Sequence, residues 1–383
     1  MLKEAQRDLR RSKLQRTVLS LAGMSTVVAL GLTGCAQGSA GDSSEASPDR
    51  VDGVSADLLE DAEVSVDTSE WKKEGPYTVA ALTQGPNNGW GTTWEETLKY
   101  EAGENADVND LILLPSMGDS DKQITQMENV ITQKPDVIML NPQGRAALSA
   151  SVSRAMAAGI PVVVCGNSVE GKKYVTYHDV DLYAVAYDAA ASLAERLDGK
   201  GNVILFHGIP GVDAAESWKQ AAEDALKKYP DIKIVGSEYA DWSVATGKAK
   251  ATALMASNPQ IDGVWSGGSE MATGAALAFE EAGRPQPAYG VTNPINGFLR
   301  LAQEYGFKFN AFPQPPGTVA KACLETAIKV VKGETVQKFE QIPIEGFDES
   351  ALAEHYMPEL NDDFVGPMEM PMEVYIAAGM ARK

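Results

Sequence analysis

From Tyr77 to Ile344 the chain alternates short apolar runs with longer segments of helical periodicity. That alternation constrains the fold more than any other feature. In the first half the apolar runs are Tyr77–Thr83 (YTVAALT), Leu111–Leu114 (LILL), Val137–Leu140 (VIML) and Pro161–Cys165 (PVVVC). Helical patterns fall between them, around 93–101, 122–132 and 146–158. Runs that are apolar on both faces, separated by helices, predict parallel strands covered on both sides. Pro135 and Pro161 stand just ahead of strands, where no ladder N–H is lost.

The second half repeats the plan. Apolar runs at 203–206, 232–235, 263–265, 288–291, 307–309 and 339–344 interleave with helical patterns at 182–197, 214–228, 244–257, 271–282, 299–304 and 319–331. Two successive βα series in about 300 residues predict an α/β fold of two doubly wound parallel-sheet lobes rather than one sheet. Ligands of such sheets sit at the carboxyl ends of the strands, and two lobes make a cleft between them.

The N-terminal segment is of another kind. Lys3, Arg7, Arg10, Arg11, Lys13 and Arg16 precede an apolar run from Val18 to Leu32, which ends in Leu32-Thr33-Gly34-Cys35. A charged start, a short apolar core and small residues before a cut site make a secretory signal over residues 1–34. The run is shorter than the roughly 20 residues of a spanning helix. Ending in a lone Cys, it resembles a bacterial lipoprotein signal. The resemblance implies lipidation of Cys35, which becomes the mature N-terminus, and places the protein on the extracytoplasmic face of the cell membrane. An ordinary signal or a short anchor with an incidental Cys is the blander alternative.

The net charge is −20, and residues 1–34 hold six basic and two acidic residues, so the remainder carries −24. Such a charge favours solubility and disfavours nucleic acid, whose phosphates need Lys and Arg. Residues 35–76 read as a lipid-anchored, disordered acidic tether. Between 36 and 76 eleven acidic residues face only Arg50, Lys72 and Lys73. Few residues there offset the entropy of ordering. Cys165 and Cys323 remain after Cys35; an exported protein can pair them, but their spacing does not demand it, and two buried thiols are expected. Neither a CxxC pair nor a metal-spaced His/Cys set occurs, so no metal or cofactor is expected.

Several stretches, in order, resemble ribose-type periplasmic binding proteins. Residues 78–90 (TVAALTQGPNNGW) look like that family's opening strand and loop, and 134–142 (KPDVIMLNP) like its next strand and polar loop. Residues 157–164 (AAGIPVVV), 240–242 (ADW), 257–264 (SNPQIDGV) and 269–275 (SEMATGA) continue the match. The resemblance implies a type I periplasmic binding protein fold, whose lobes are joined by a three-segment hinge. The crossings fall near His178–Asp181, Pro313–Gln314 and Ile342–Glu345. Lobe 1 is then 77–179 plus 315–341, and lobe 2 is 180–314 plus 342–383. The implied role is solute capture for an ABC importer: a monomer that works with a membrane permease and is not an enzyme. A receptor subunit feeding a sensor kinase shares the fold. An exported hydrolase lacks support, since no Gly-x-Ser-x-Gly or HExxH motif is present.

The resemblance also points to ligand residues. Asn88 and Trp90 fall on the loop that supplies an amide and an aromatic plate, Trp242 on a second plate and Gln314 on the polar residue of the second crossing. Asp181 is a candidate ligand residue at the first crossing, with a cap on the following helix as the favoured reading. The departures are informative. Where sugar binders carry Asp-Arg the register gives Gly166-Asn167. Their second-lobe arginine is replaced near Glu216, with Trp218 close by. Gly268-Ser269 stands for Asn-Asp, and Thr292 beside Asn293 for the Asp of a Gly-Phe-Asp loop. Loss of charged grips predicts a polar, uncharged or weakly basic solute held by amides, hydroxyls and tryptophans.

Overall fold

The computed structural model describes residues 50–51 and 54–382. Cys35 and the signal segment lie outside them. Two six-stranded sheets form the body. The first has the strand order Phe339–Gln341, Thr176–Asp179, Val162–Cys165, Val137–Leu140, Tyr77–Thr83, Val108–Pro115, all parallel. The second runs Asp231–Tyr239, Lys200–His207, Gly263–Ser266, Ala288–Thr292, Phe309–Phe312, Phe347–Asp348; its last strand alone is antiparallel. Central strands such as Val137–Leu140 and Val162–Cys165 are buried at every residue, which is why they read as unbroken apolar runs.

The chain changes sheet three times. It leaves the first sheet after Asp179, and helix Leu182–Arg196 packs on the second. It returns after Phe312, and helix Pro316–Lys332 packs on the first. It leaves again between Gln341 and Phe347. Side chains and glycines fix the helix ends. Asn88, Asp119, Asp181 and Ser243 cap N-termini, and Gly306 and Gly333 close C-termini in left-handed geometry.

Three features differ from the reading of the sequence. The tether expected through residue 76 is ordered well before its end. Helix Ala56–Ala62 is followed by Ser65–Val66, which pairs antiparallel with Val336–Gln337. Thr68, fully buried, donates to the Glu334 carbonyl at 2.6 Å, and Trp71 packs on the core of the first lobe. Backbone pairing supplies what composition lacks.

Cys165 and Cys323 are not free thiols. They form a disulfide between strand Val162–Cys165 and helix Pro316–Lys332.

The tail, expected to belong to the second lobe, grips both. Asn296 Nδ2 donates to the carbonyls of Met357, Leu360 and Asn361, and Asn296 Oδ1 accepts from the Met357 amide. Arg300 and Arg382 both pair with Asp362. On the other lobe, Thr318 donates to Glu369 at 2.6 Å, and Tyr100 packs on a tail cluster of Leu360, Phe364, Met370, Tyr375 and Met380.

Candidate functional site

A cleft of about 450 Å³, its mouth included, opens between the two sheets. Its walls come from segments that follow strand carboxyl ends, as open α/β sheets require. Gln84, Asn88 and Trp90 follow Tyr77–Thr83, and Asn167 follows Val162–Cys165. From the second lobe come Val212, Ala214 and Trp218 after Lys200–His207, and Trp242 after Asp231–Tyr239. Gly268 and Glu270 follow Gly263–Ser266, Asn293 follows Ala288–Thr292, and Gln314 lies on the second crossing.

Two of the indoles are pinned by their N–H groups. Trp90 Nε1 donates to the Gln314 carbonyl at 2.9 Å, and Trp242 Nε1 to the Gly267 carbonyl at 2.7 Å. Both therefore offer ring faces and not donors. Asp241 and Trp242 hold left-handed backbone, φ 57° and 50°, which costs energy for non-glycine residues and aims the ring inward. The ring lies against two glycines. A Cβ on Gly208 would stand 2.2 Å from Trp242 Cε2, and one on Gly268 2.5 Å from Cδ1. Trp218 meets Trp242 edge-on at 6.3 Å.

The polar groups divide into those already used and those left over. Asn88 Oδ1 accepts from the Gly91 amide as a helix cap. Gln84 Nε2 donates to the Pro142 carbonyl. Gln314 Nε2 reaches the Gly166 carbonyl at 2.7 Å and both Asp179 oxygens at 2.9 and 3.0 Å, lacing two crossings together. Burial pushes the Asp179 carboxyl up to about 7, against the lowering effect of Gln314, Tyr177 and the Val180 amide. The folded chain thus holds this proton to higher pH than the unfolded one. Its contribution to stability is complete at low pH and is lost as pH rises from the ordinary carboxylate range through about 7. Asn293 Oδ1 accepts from the Gln314 amide. Two buried atoms of the cleft wall have no partner: Trp218 Nε1, a donor, and Asn167 Oδ1, an acceptor. An unpaired buried polar atom costs about 1–3 kcal/mol, so both are poised for a partner from outside the chain.

Asn88, Trp90, Asn167, Trp218, Trp242, Asn293 and Gln314 are thus brought to one cleft, and three other candidates are not. Asp181 caps helix Leu182–Arg196 through the amides of Tyr183 and Ala184. Glu216 accepts from the Gly211 amide and from Tyr239 Oη, and with Asp181 it faces a different cavity. Ser269 Oγ donates to the Asn293 carbonyl and accepts from the Ile295 amide, so it shapes the loop behind the wall.

Gln84, Val212, Ala214 and Glu270 join the wall without having been singled out, and Gly268, noted only as a departure, joins it too. Glu270 was visible within SEMATGA, but an acidic residue in a first helical turn reads as a partner for the helix dipole. Desolvation, with Asp363 adding repulsion, pushes its carboxyl up to about 7.

The model of the periplasmic binding protein domain matches residues 79–335. The ribose import binding protein of Bacillus subtilis is 26% identical over 274 residues, 71% of this chain and 87% of the relative. The xylitol-binding protein of Mycolicibacterium smegmatis is 29% identical over 231 residues, 60% of this chain and 65% of the relative. Among solved structures, an ABC transporter periplasmic solute binding protein from Actinobacillus succinogenes with bound D-allose superposes with a TM-score of 0.67 at 25% identity, covering 73% of this chain and all of that one. With a matching family model, two parallel sheets of the same architecture and an inter-lobe cleft, the chain belongs to the periplasmic binding protein domain family, as a solute-binding protein of an importer and not an enzyme.

Proposed function

We propose that this protein captures a small polyhydroxylated solute, a sugar or polyol, between its lobes and hands it to an ABC permease. The observation that carries the reading is the cleft wall. It holds three indoles, five amide side chains and two unpartnered buried polar atoms, with no lysine or arginine among its residues. An apolar sugar face stacks on an indole while amides meet the hydroxyls at its rim. Trp90 and Trp242 are the plates. Asn167 and the Trp218 N–H are the free acceptor and donor, and Asn88, Asn293 and Gln314 set the rim. The relatives named for ribose and xylitol, and the structure with D-allose, support this solute class.

The test is calorimetric titration with ribose, xylitol, allose and inositol. Trp90→Ala and Trp242→Ala are each expected to weaken the bound solute about 10- to 100-fold, the loss of one stacking face. Wild-type affinity in both variants would remove the cleft assignment.

Cys35 is the proposed lipid attachment point, with the chain acting as an extracytoplasmic monomer. In intact cells, Cys35→Ala is expected to shift the protein from the membrane fraction to the medium or periplasm. Retention on the membrane would point to an uncleaved helix instead. Two acyl chains hold stably, at about 0.8 kcal/mol per buried CH₂.

A further inference from the structure

Glu270 is the one ionisable side chain in the cleft wall among the described residues. The groups that act on its carboxyl are few: its own backbone amide and Asp363 of the tail. Asp363 has the same sign of charge, and the wall contains no lysine or arginine to answer either. A lone carboxyl in a desolvated aromatic wall is costly to ionise, and a cation from outside the chain would hold it in its charged form.

The geometry sets this carboxyl beside an indole. The place of a Cβ on Gly268 lies 2.5 Å from Trp242 Cδ1 and 3.1 Å from Glu270 Oε2. The carboxyl and the indole therefore lie against the same glycine, side by side on the cleft wall. Trp242 and Trp90 have spent their N–H groups on backbone carbonyls, and Trp218 stands edge-on to Trp242. Indole faces with one carboxylate attract a cation from two directions, by the ring quadrupole and by direct charge. Glu270 lies in the first turn of helix Ser269–Glu281, whose N-terminal amide offsets part of the cost of ionising it.

We propose that the preferred solute of this cleft carries a basic nitrogen: an amino-sugar or amino-polyol whose ammonium is held between Glu270 and the indoles. The inference rests on the reading of the cleft as a sugar or polyol site and narrows it. A neutral polyol would meet the same amides and stacking faces but leave the carboxylate without a counter-charge.

The experiment uses matched pairs that differ by one amine for one hydroxyl: glucosamine and glucose, galactosamine and galactose, and an amino-inositol with myo-inositol. Calorimetric titration is run on the wild type and on Glu270→Gln, which keeps the side chain's shape. In any pair that binds, the amine is expected to bind the wild type about tenfold or more tighter than its neutral partner. In Glu270→Gln that ratio is expected to fall to near one. A neutral partner that binds the wild type as tightly as the amine overturns the proposal and leaves the polyol reading standing. So does an amine preference that survives in Glu270→Gln. If ribose, xylitol or allose binds while every amine fails to, this proposal falls alone. Should none of these compounds bind, the polyol reading falls together with it. The wild-type comparison decides the matter even if the variant fails to fold.

Discussion

Replacing Cys165 and Cys323 together by alanine is expected to cost the folded chain about 4 to 5 kcal/mol, the scale of a disulfide that closes a long loop. The two residues are 158 apart in sequence and fully buried. Cross-linking a loop that long removes about 5 kcal/mol of chain entropy from the unfolded state in the simple entropic model. The loop is unusual in what it encloses. Strand Val162–Cys165 precedes the first crossing and helix Pro316–Lys332 follows the second, so the bond closes a ring around most of the second sheet. Urea unfolding with and without reductant measures the effect. Equal midpoints in the two conditions would show that the bond contributes nothing. Such a bond persists outside a reducing cytoplasm, in agreement with the extracytoplasmic work of the family.

Asn296→Ala is expected to destabilise the protein by about 3 kcal/mol, in the upper range for a buried polar network, and to free the tail. The side chain is 1% exposed, and both its amide nitrogen and its oxygen bond the segment Met357–Asn361. Alanine would leave three carbonyls and one amide without this partner, in a place where water enters poorly. Each such loss costs about 1–3 kcal/mol, partly relieved by local movement. Chemical denaturation gives the energy, and limited proteolysis over 357–382 gives the location. An unchanged midpoint with unchanged protease resistance would mean that the apolar cluster around Tyr375 holds the tail unaided.

The fold was legible because its central strands are buried on both faces. Val137–Leu140 and Val162–Cys165 admit no polar residue, and so they stand out from the helices around them. The plates of the cleft were legible for a related reason: Trp90 and Trp242 follow strand ends, the place where open α/β sheets hold their ligands. Other parts depended on partners far along the chain. Ser65–Val66 is ordered by backbone bonds to Val336–Gln337, which leave no mark on composition. Asp181 and Glu216 are polar groups near strand ends as well, but their hydrogen bonds go to nearby backbone and to Tyr239. The disulfide joins residues whose spacing carries no signal. Glu270 was not singled out because its place beside Trp242 at Gly268 is set by the fold and leaves no mark on the sequence.

The tail's grip on two lobes has a mechanical consequence. Its polar contacts go mostly to Asn296 and Arg300, while on the opposite lobe it meets Thr318, Tyr100 and two glycines. A Cβ on Gly89 would lie 1.6 Å from the Asp363 carbonyl oxygen, and one on Gly317 2.9 Å from Glu369 Cγ. These two glycines let the tail lie directly on the first lobe. A side chain placed at Gly89 would act as a wedge between the tail and the first lobe.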